Sequence, residues 1–266
     1  MERFEALFGR KPVIAMVHLK ALPGTPLYDG DLEGIVEAAR RDLLALQEAG
    51  VDAVMFGNEN DRPYELRVDP ASTATMAYVI GRLREAIRLP FGVDVLWDPM
   101  ATMALAAATG ARFAREIFTG AYGSDMGIWE GRAAEALRYR KRLQRQDLFL
   151  LYNVSAEFAS PLDGRSLPER AKSAVFSSLA DAILVSGPMT GEGVSLDHLR
   201  AVKAALPQVP VLANTGVRHE TVAEILEVAD GVIVGTALKR DGVTWNEVDP
   251  ERARSFMEIV RKWRGR

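Results

Sequence analysis

No cysteine occurs among the 266 residues, which removes disulfides, thiolate metal sites and cysteine nucleophiles together and points to a reducing compartment. Histidine is scarce as well: only His18, His198 and His219, with no H-E-x-x-H or clustered spacing, so a histidine-rich zinc site is not supported. Neither sign of charge dominates. The 33 basic and 36 acidic residues leave a formal net charge of −3, without the basic stripe that marks a nucleic-acid surface. No apolar run approaches the ~20 residues that span a bilayer. The opening segment 1–9 (MERFEALFG) has no apolar h-region and does not read as a signal peptide. No G-x-G-x-x-G follows the first apolar run, and no nucleotide or flavin motif occurs elsewhere. These absences predict a globular cytoplasmic protein that engages neither nucleic acid nor membrane.

What the chain does contain is a regular alternation. Short apolar runs at 13–19, 52–58, 91–97, 111–118, 148–154, 181–187, 209–215 and 231–238 alternate with amphipathic stretches such as 31–49 and 197–206. Continuous runs of this length suit strands buried on both faces of a parallel sheet. Gly50 and Gly110 follow helix ends, and Ser195 stands just before an acidic first turn. Eight β–α units over about 250 residues predict a closed (β/α)8 TIM barrel in one domain spanning 1–266. The segment 2–8 is expected to form a short helix under the barrel floor.

Barrel active sites stand on the loops that follow the strands, which reduces the polar residues of interest to those at strand ends. Three of those ends are rich in glycine and small hydroxyls: Ser186-Gly187 followed by Thr190-Gly191-Glu192-Gly193, then Thr215-Gly216, then Gly235-Thr236. Glycines let backbone N–H groups approach an anion closely, and barrels often build phosphate sites after strands seven and eight. Ser186, Gly187, Thr215, Gly216, Gly235 and Thr236 are therefore candidate phosphate ligands: any one glycine alone reads better as a tight turn, and it is the three ends together that favour an anion. Asp94 lies mid-strand, with Asp98 on its face if the strand persists, and Glu116 stands beside Arg115 on the fourth strand. Alternation lets only one of that last pair face the barrel. A carboxylate inside a barrel needs a partner, a proton or a metal. Asp94 and Glu116 are thus candidates for general base or divalent-metal ligand, the alternative being an interior ion pair. His18 ends the first strand as a candidate acid–base group, and Asn58 and Asn153 would orient hydroxyls. His198 and His219 read as solvent-facing helix residues. Lys20 and Lys239 stand outside the strands, which disfavours imine chemistry; Lys239 reads as a phosphate partner or a solvated loop charge. The long loop 119–131, with Tyr122, Asp125 and Trp129, reads as a mobile lid or a subunit contact.

Several strings are long enough to be specific: 13–24 (VIAMVHLKALPG), 50–58 (GVDAVMFGN), 90–99 (PFGVDVLWDP), 115–122 (REIFTGAY), 211–217 (VLANTGV) and 241–243 (DGV). On these the chain resembles the BtpA/SgcQ family over roughly residues 10–262, and its SgcQ branch most closely. The resemblance implies a ribulose-phosphate-binding type of barrel. One branch of the family is associated with photosystem I proteins, the other with carbohydrate-uptake gene clusters. The photosynthetic branch's Leu-Arg-Asn-Asp after strand three is Leu96-Trp97-Asp98-Pro99 here, and its Lys-His pair after strand five is Glu157-Phe158. These departures argue against carrying over the photosystem role.

The expectation is an enzyme acting on a small phosphorylated metabolite, such as a sugar phosphate, by proton abstraction next to a carbonyl. Isomerisation, epimerisation and retro-aldol cleavage all belong to that class. A divalent metal is the one cofactor the carboxylates suggest, and a homo-oligomer is expected from the habit of barrels. The alternatives are a non-catalytic assembly or stability factor and a phosphosugar-binding regulator.

Overall fold

The strand runs, buried at almost every position, can satisfy their backbone only by pairing side by side, and in the computed structural model they close on themselves. Residues 1–189 and 192–265 are described. In chain order the elements are α1 (Glu2–Phe8), β1 (Val13–His18), α2 (Leu32–Ala49), β2 (Ala53–Gly57), α3 (Pro70–Leu83), β3 (Phe91–Asp94), α4 (Pro99–Thr109) and β4 (Phe113–Glu116). There follow β5 (Ala121–Ser124), β6 (Gly127–Glu130), α5 (Ala133–Arg142), β7 (Phe149–Asn153), β8 (Ala159–Pro161), α6 (Leu167–Ser178), β9 (Ala182–Val185) and α7 (Leu196–Ala205). The chain finishes with β10 (Val211–Ala213), α8 (Val222–Val228), β11 (Gly231–Val234) and α9 (Pro250–Arg264). The closed parallel barrel runs β1-β2-β3-β4-β7-β9-β10-β11, while β6-β5-β8 form a separate small sheet. The predicted TIM barrel is the fold.

Local chemistry sets where the helices begin and end. Asp31, Asp69, Asp98, Ser166, Ser195 and Asp249 each accept a backbone N–H of the turn they precede. Gly50 and Gly110 close α2 and α4 in the left-handed conformation. These contacts also correct the strand lengths. The third strand stops at Asp94 rather than Trp97, because the Val95 N–H donates to Thr102 Oγ1 and Asp98 turns away to cap α4. Asp98 therefore does not share a strand face with Asp94.

Strand alternation divides the apolar residues into two layers. Val13, Ala15, Val17, Val54, Phe56, Val93 and Ala114 face outward against the helices. Ile14, Met16, Met55, Phe113, Leu151, Leu184, Leu212 and Ile233 point inward and fill the lower barrel. Helix α1 closes the floor as expected: Phe4 and Phe8 are buried, with Phe8 4.9 Å from the Phe113 ring and 5.8 Å from the Phe149 ring. Gly92 leaves the space that the Phe113 ring fills. The barrel is thus solid up to its last inward layer, and any chemistry is confined above it.

Candidate active site

That last inward layer is polar. Continuing the alternation from Met16, Met55, Gly92, Phe113, Leu151, Leu184, Leu212 and Ile233 brings His18, Gly57, Asp94, Arg115, Asn153, Ser186, Asn214 and Gly235 to the top of the eight strands. The two glycines make room for neighbours. A Cβ on Gly57 would stand 2.6 Å from the Glu59 carboxylate, and one on Gly235 would stand 2.7 Å from the His18 ring. The missing side chains let Glu59 fold back over the mouth and let His18 lie across it.

Arg115 anchors this layer. Its guanidinium is paired tightly with Asp94, Nε donating at 2.5 Å, while Nη1 donates to Asn214 Oδ1 at 3.1 Å and Nη2 lies 3.5 Å from Glu59 Oε1. A polar network continues around the barrel. Asn214 and Asn153 donate to Ser186 Oγ at 2.7 and 2.9 Å, and Ser186 donates to Glu157 Oε1 at 3.2 Å. Asn214 also reaches Glu157 Oε1 at 3.3 Å. The buried cation is therefore balanced by Asp94 and held by several acceptors, as a charge out of water requires.

His18 Nε2 stands 3.5 Å from Glu59 Oε1, both side chains nearly shut off from solvent. Their environments push them in opposite directions. Burial, then the charges of Lys239 and Arg115, hold the imidazole well below its ordinary value. Burial pushes the Glu59 carboxyl up to about 8, against the pull of Arg115 and with the help of Asp94. Near pH 7 the pair is a neutral imidazole beside a protonated carboxylic acid, a base and an acid within reach of one another.

Above this pair opens a cavity of about 740 Å³. It is lined by His18, Glu59, Trp97 and Arg115, by Gly216 and Thr236 of the segments after β10 and β11, and by Arg252 of α9. Tyr64 and Trp245 stand at its walls, Trp245 with the Arg62 guanidinium stacked 3.6 Å above its ring.

The candidate residues named from sequence distribute unevenly around this cavity. His18, Thr215, Gly216, Gly235 and Thr236 line it. Asp94 and Asn153 belong to the same polar layer but do not line the cavity, being bonded to Arg115 and Ser186. Glu116 faces the other way, its carboxyl accepting from Thr102 Oγ1 at 3.1 Å and the Ile117 N–H at 3.0 Å. Burial lifts Asp94 above its ordinary range although Arg115 opposes this. Burial and the Asp94 charge push Glu116 well above its ordinary range. Arg115 occupies the position a metal would take at Asp94, and among the described residues no three His, Asp or Glu side chains gather as a metal centre would require. Asn58 also faces outward; it donates to Asp61 at 3.0 Å and accepts from the Leu96 N–H at 2.8 Å, tying loops together.

The glycine-rich ends need a similar correction. Glu192 and Gly193 pack directly on Gly187 and Gly216, and the Gly187 N–H is taken by Thr215 Oγ1 at 2.5 Å. Those glycines accommodate a neighbouring segment rather than leaving bare backbone at position 187. Thr190 and Gly191 lie outside the described residues. Thr236 Oγ1 shares a 2.8 Å hydrogen bond with Thr244 Oγ1. Lys239 is neither solvated nor open to an anion: it is buried and bonded to Asp42 at 2.7 Å. Lys20 and His198 are exposed, whereas His219 packs on Phe256 and bonds the Arg252 carbonyl at 3.0 Å. The loop 119–131 is an ordered hairpin, β5–β6, extended by β8. Its Tyr122 and Trp129 are buried, with Trp129 5.2 Å from Trp97, so neither ring is available for a subunit contact; Asp125 stands exposed at the turn.

A profile of the BtpA family matches residues 9–262. The chain belongs to the BtpA family. Among its relatives, SgcQ of Escherichia coli K12 is 48% identical over 258 residues, covering 96% of each chain. The photosystem I biogenesis protein BtpA of Synechocystis is 34% identical over 263 residues, covering 98% of this chain and 91% of its own. Among solved structures the fold is similar to (S)-3-O-geranylgeranylglyceryl phosphate synthase from Thermoplasma acidophilum, determined in complex with sn-glycerol-1-phosphate. The TM-score is 0.62 at 16% identity, over 98% of this chain and 97% of that one.

In this BtpA-family barrel Glu59, Glu157 and Asn214, which sequence reading places at strand ends, and Arg115, which it sets beside Glu116, are site residues to which it assigns no role. Arg115 and Asn214 were accessible to strict alternation, since both fall in register with inward apolar residues. A role for Glu59 was signalled only by Gly57, two residues earlier, whose own part becomes visible once the side chain is seen folding over it.

Proposed function

We propose that this chain is an enzyme that acts on a small phosphorylated metabolite of the sugar-phosphate class by proton transfer next to a carbonyl. The observation that carries the reading is the His18–Glu59 pair, poised as neutral base and neutral acid on the wall of a cavity also lined by the loops after β10 and β11. In barrels of this kind those loops commonly hold phosphate, and the similar Thermoplasma enzyme was determined with a glycerol phosphate bound. Gly216, Thr236 and Arg252 are positioned to receive the phosphate. The carbon chain then lies toward His18, which takes a proton from the carbon beside the carbonyl while Glu59 gives its proton to the carbonyl oxygen. The product is an enediol; His18 returns its proton to the former carbonyl carbon while Glu59 takes back a proton from the neighbouring hydroxyl, which becomes the new carbonyl, completing an isomerisation and restoring both groups. Arg115, charge-balanced by Asp94, supports the developing oxyanion.

Thermal-shift measurements on the purified protein, with phosphosugars set against their unphosphorylated forms and with and without Mg²⁺, Mn²⁺ or Zn²⁺, test the reading. A ligand at about 100 times its Kd adds roughly 2.7 kcal/mol of stability, so a phosphorylated subset should raise the midpoint while the parent sugars do not. A flat response throughout contradicts the reading and favours the second one, a non-catalytic assembly role, whose support is the 34% identity to the photosystem I biogenesis protein.

A further inference from the structure

Around the helical ring each pair of neighbours packs side against side except α5 and α6, which barely touch. The gap between them is a cavity of about 320 Å³, lying below the β5–β6 hairpin and apart from the barrel mouth. Its polar wall consists of Thr119, Tyr122, Arg165, Arg170, Ser173 and Ser178, and among the described residues no carboxylate lines it. Arg165 is exposed and already paired, with Asp163 at 2.6 Å. Arg170 is different: its Nε and Nη1 are shut off from solvent and donate to no acceptor. The half-buried guanidinium bonds the Tyr122 phenol and feels the charge of Asp163, which is itself paired with Arg165, but guanidinium N–H groups are strong obligatory donors and two of them left unmet away from water are costly. In folded proteins such a group is met by an ion or an ordered water.

We infer that the α5–α6 cavity is a second anion site, which takes a phosphate group against the Arg170 guanidinium with the Ser173 and Thr119 hydroxyls as further donors. The open N–H groups of Arg170, the neighbouring hydroxyls and a lining without a carboxylate among the described residues form a donor set that selects an oxyanion with several acceptor oxygens over a sugar or an apolar group. The cavity has room for a phosphate or a small phosphomonoester. A run of tilted aromatic rings connects the site to the wall of the main cavity. Tyr122, whose phenol lies beside Arg170, is 6.0 Å from Trp129, which is 5.2 Å from Trp97 on the wall of the barrel mouth.

The test uses the whole chain, with inorganic phosphate and glycerol 3-phosphate as probes. Crystals soaked in phosphate should show an anion bonded to Arg170. Calorimetry in solution should count one binding event fewer, or one weakened by about tenfold or more, in Arg170→Gln. Ser173→Glu places a carboxylate in the cavity as an internal counter-ion; it should fold, raise the midpoint and abolish the same event. A stronger response to glycerol 3-phosphate than to phosphate identifies a phosphomonoester as the occupant, and the reverse identifies the free ion. Water alone at Arg170, or unchanged phosphate binding in a folded Ser173→Glu protein, overturns the inference. Phosphate seen in the crystal but with no heat lost in Arg170→Gln means an adventitious ion only and overturns it as well.

Discussion

At Glu59 a single carboxyl is asked to stay protonated at neutral pH, and what makes this possible is position more than chemistry. The side chain has left water, Asp94 stands behind it, and the cation that acts on it most, Arg115, is already committed to Asp94. Ionising Glu59 would place a second negative charge on one guanidinium. Its catalytic and stability consequences can be separated by pH. If Glu59 is the acid and His18 the base, kcat/KM should fall above about pH 8 as Glu59 ionises, and on the acid side only well below 6.5, where His18 protonates. Glu59→Gln or His18→Ala should lower kcat by ~10²–10⁴-fold, measured in steady-state assays once a substrate is identified. In stability the sign is opposite to that of an ordinary salt-bridged carboxylate. The folded protein holds the Glu59 proton up to about pH 8, whereas the unfolded chain releases it near 4.5. The contribution is therefore fully present below pH 4.5 and is lost as pH rises through 8. The midpoint of the wild type relative to Glu59→Gln should decline across that window; a constant difference from pH 5 to 8.5 would show that the carboxyl is not shifted. Asp94 makes a less selective probe. It is buried against Arg115, so Asp94→Asn leaves an uncompensated internal cation and should cost about 3 kcal/mol in denaturant unfolding, beyond any effect on turnover.

The strands and their glycines show how elements prepare the site. Period-two alternation carries apolar side chains through the lower barrel and places the next inward residue of every strand in one polar layer. Gly57 and Gly235 belong to that layer by what they omit. Adding a methyl group at Gly235 should displace His18, and at Gly57 should displace Glu59, with turnover reduced and fold retained as judged by circular dichroism. Below, α1 acts as a separate plug: Phe8→Ala removes a ring packed on Phe113 and Phe149 and should cost about 3–5 kcal/mol in chemical denaturation, without changing the pH profile. The elements were also the level at which sequence was most legible. Eight buried runs, the start signal at Ser195, the helix-ending Gly50 and Gly110 and the floor helix could all be read because each depends on contacts within a few residues or on a two-residue period. What could not be read depends on neighbours distant in sequence. Nothing local shows that Lys239 is bonded to Asp42 on α2, that Trp129 is buried against Trp97, or that Glu116 turns toward Thr102. The glycine pattern after strands six to eight was visible, but the packing of Glu192 and Gly193 onto Gly187 and Gly216 was not.

For the whole molecule, a filled barrel floor and a charge-balanced polar layer leave His18 and Glu59 on the wall of one cavity at the C-terminal ends of the strands. Membership of the BtpA family covers nearly the full chain, yet the activity must be argued from the chamber, because shared fold does not carry shared chemistry. The most direct measurement is proton exchange in D₂O. The protein is incubated with the phosphosugars that raise its midpoint, and NMR follows the hydrogen on the carbon beside the carbonyl, in wild type and in His18→Ala. At least one phosphosugar should lose that signal to deuterium in the presence of wild type and keep it with His18→Ala. Tight, stabilising binding of phosphosugars with no exchange in any of them would contradict proton transfer and leave the chamber a binding site without turnover.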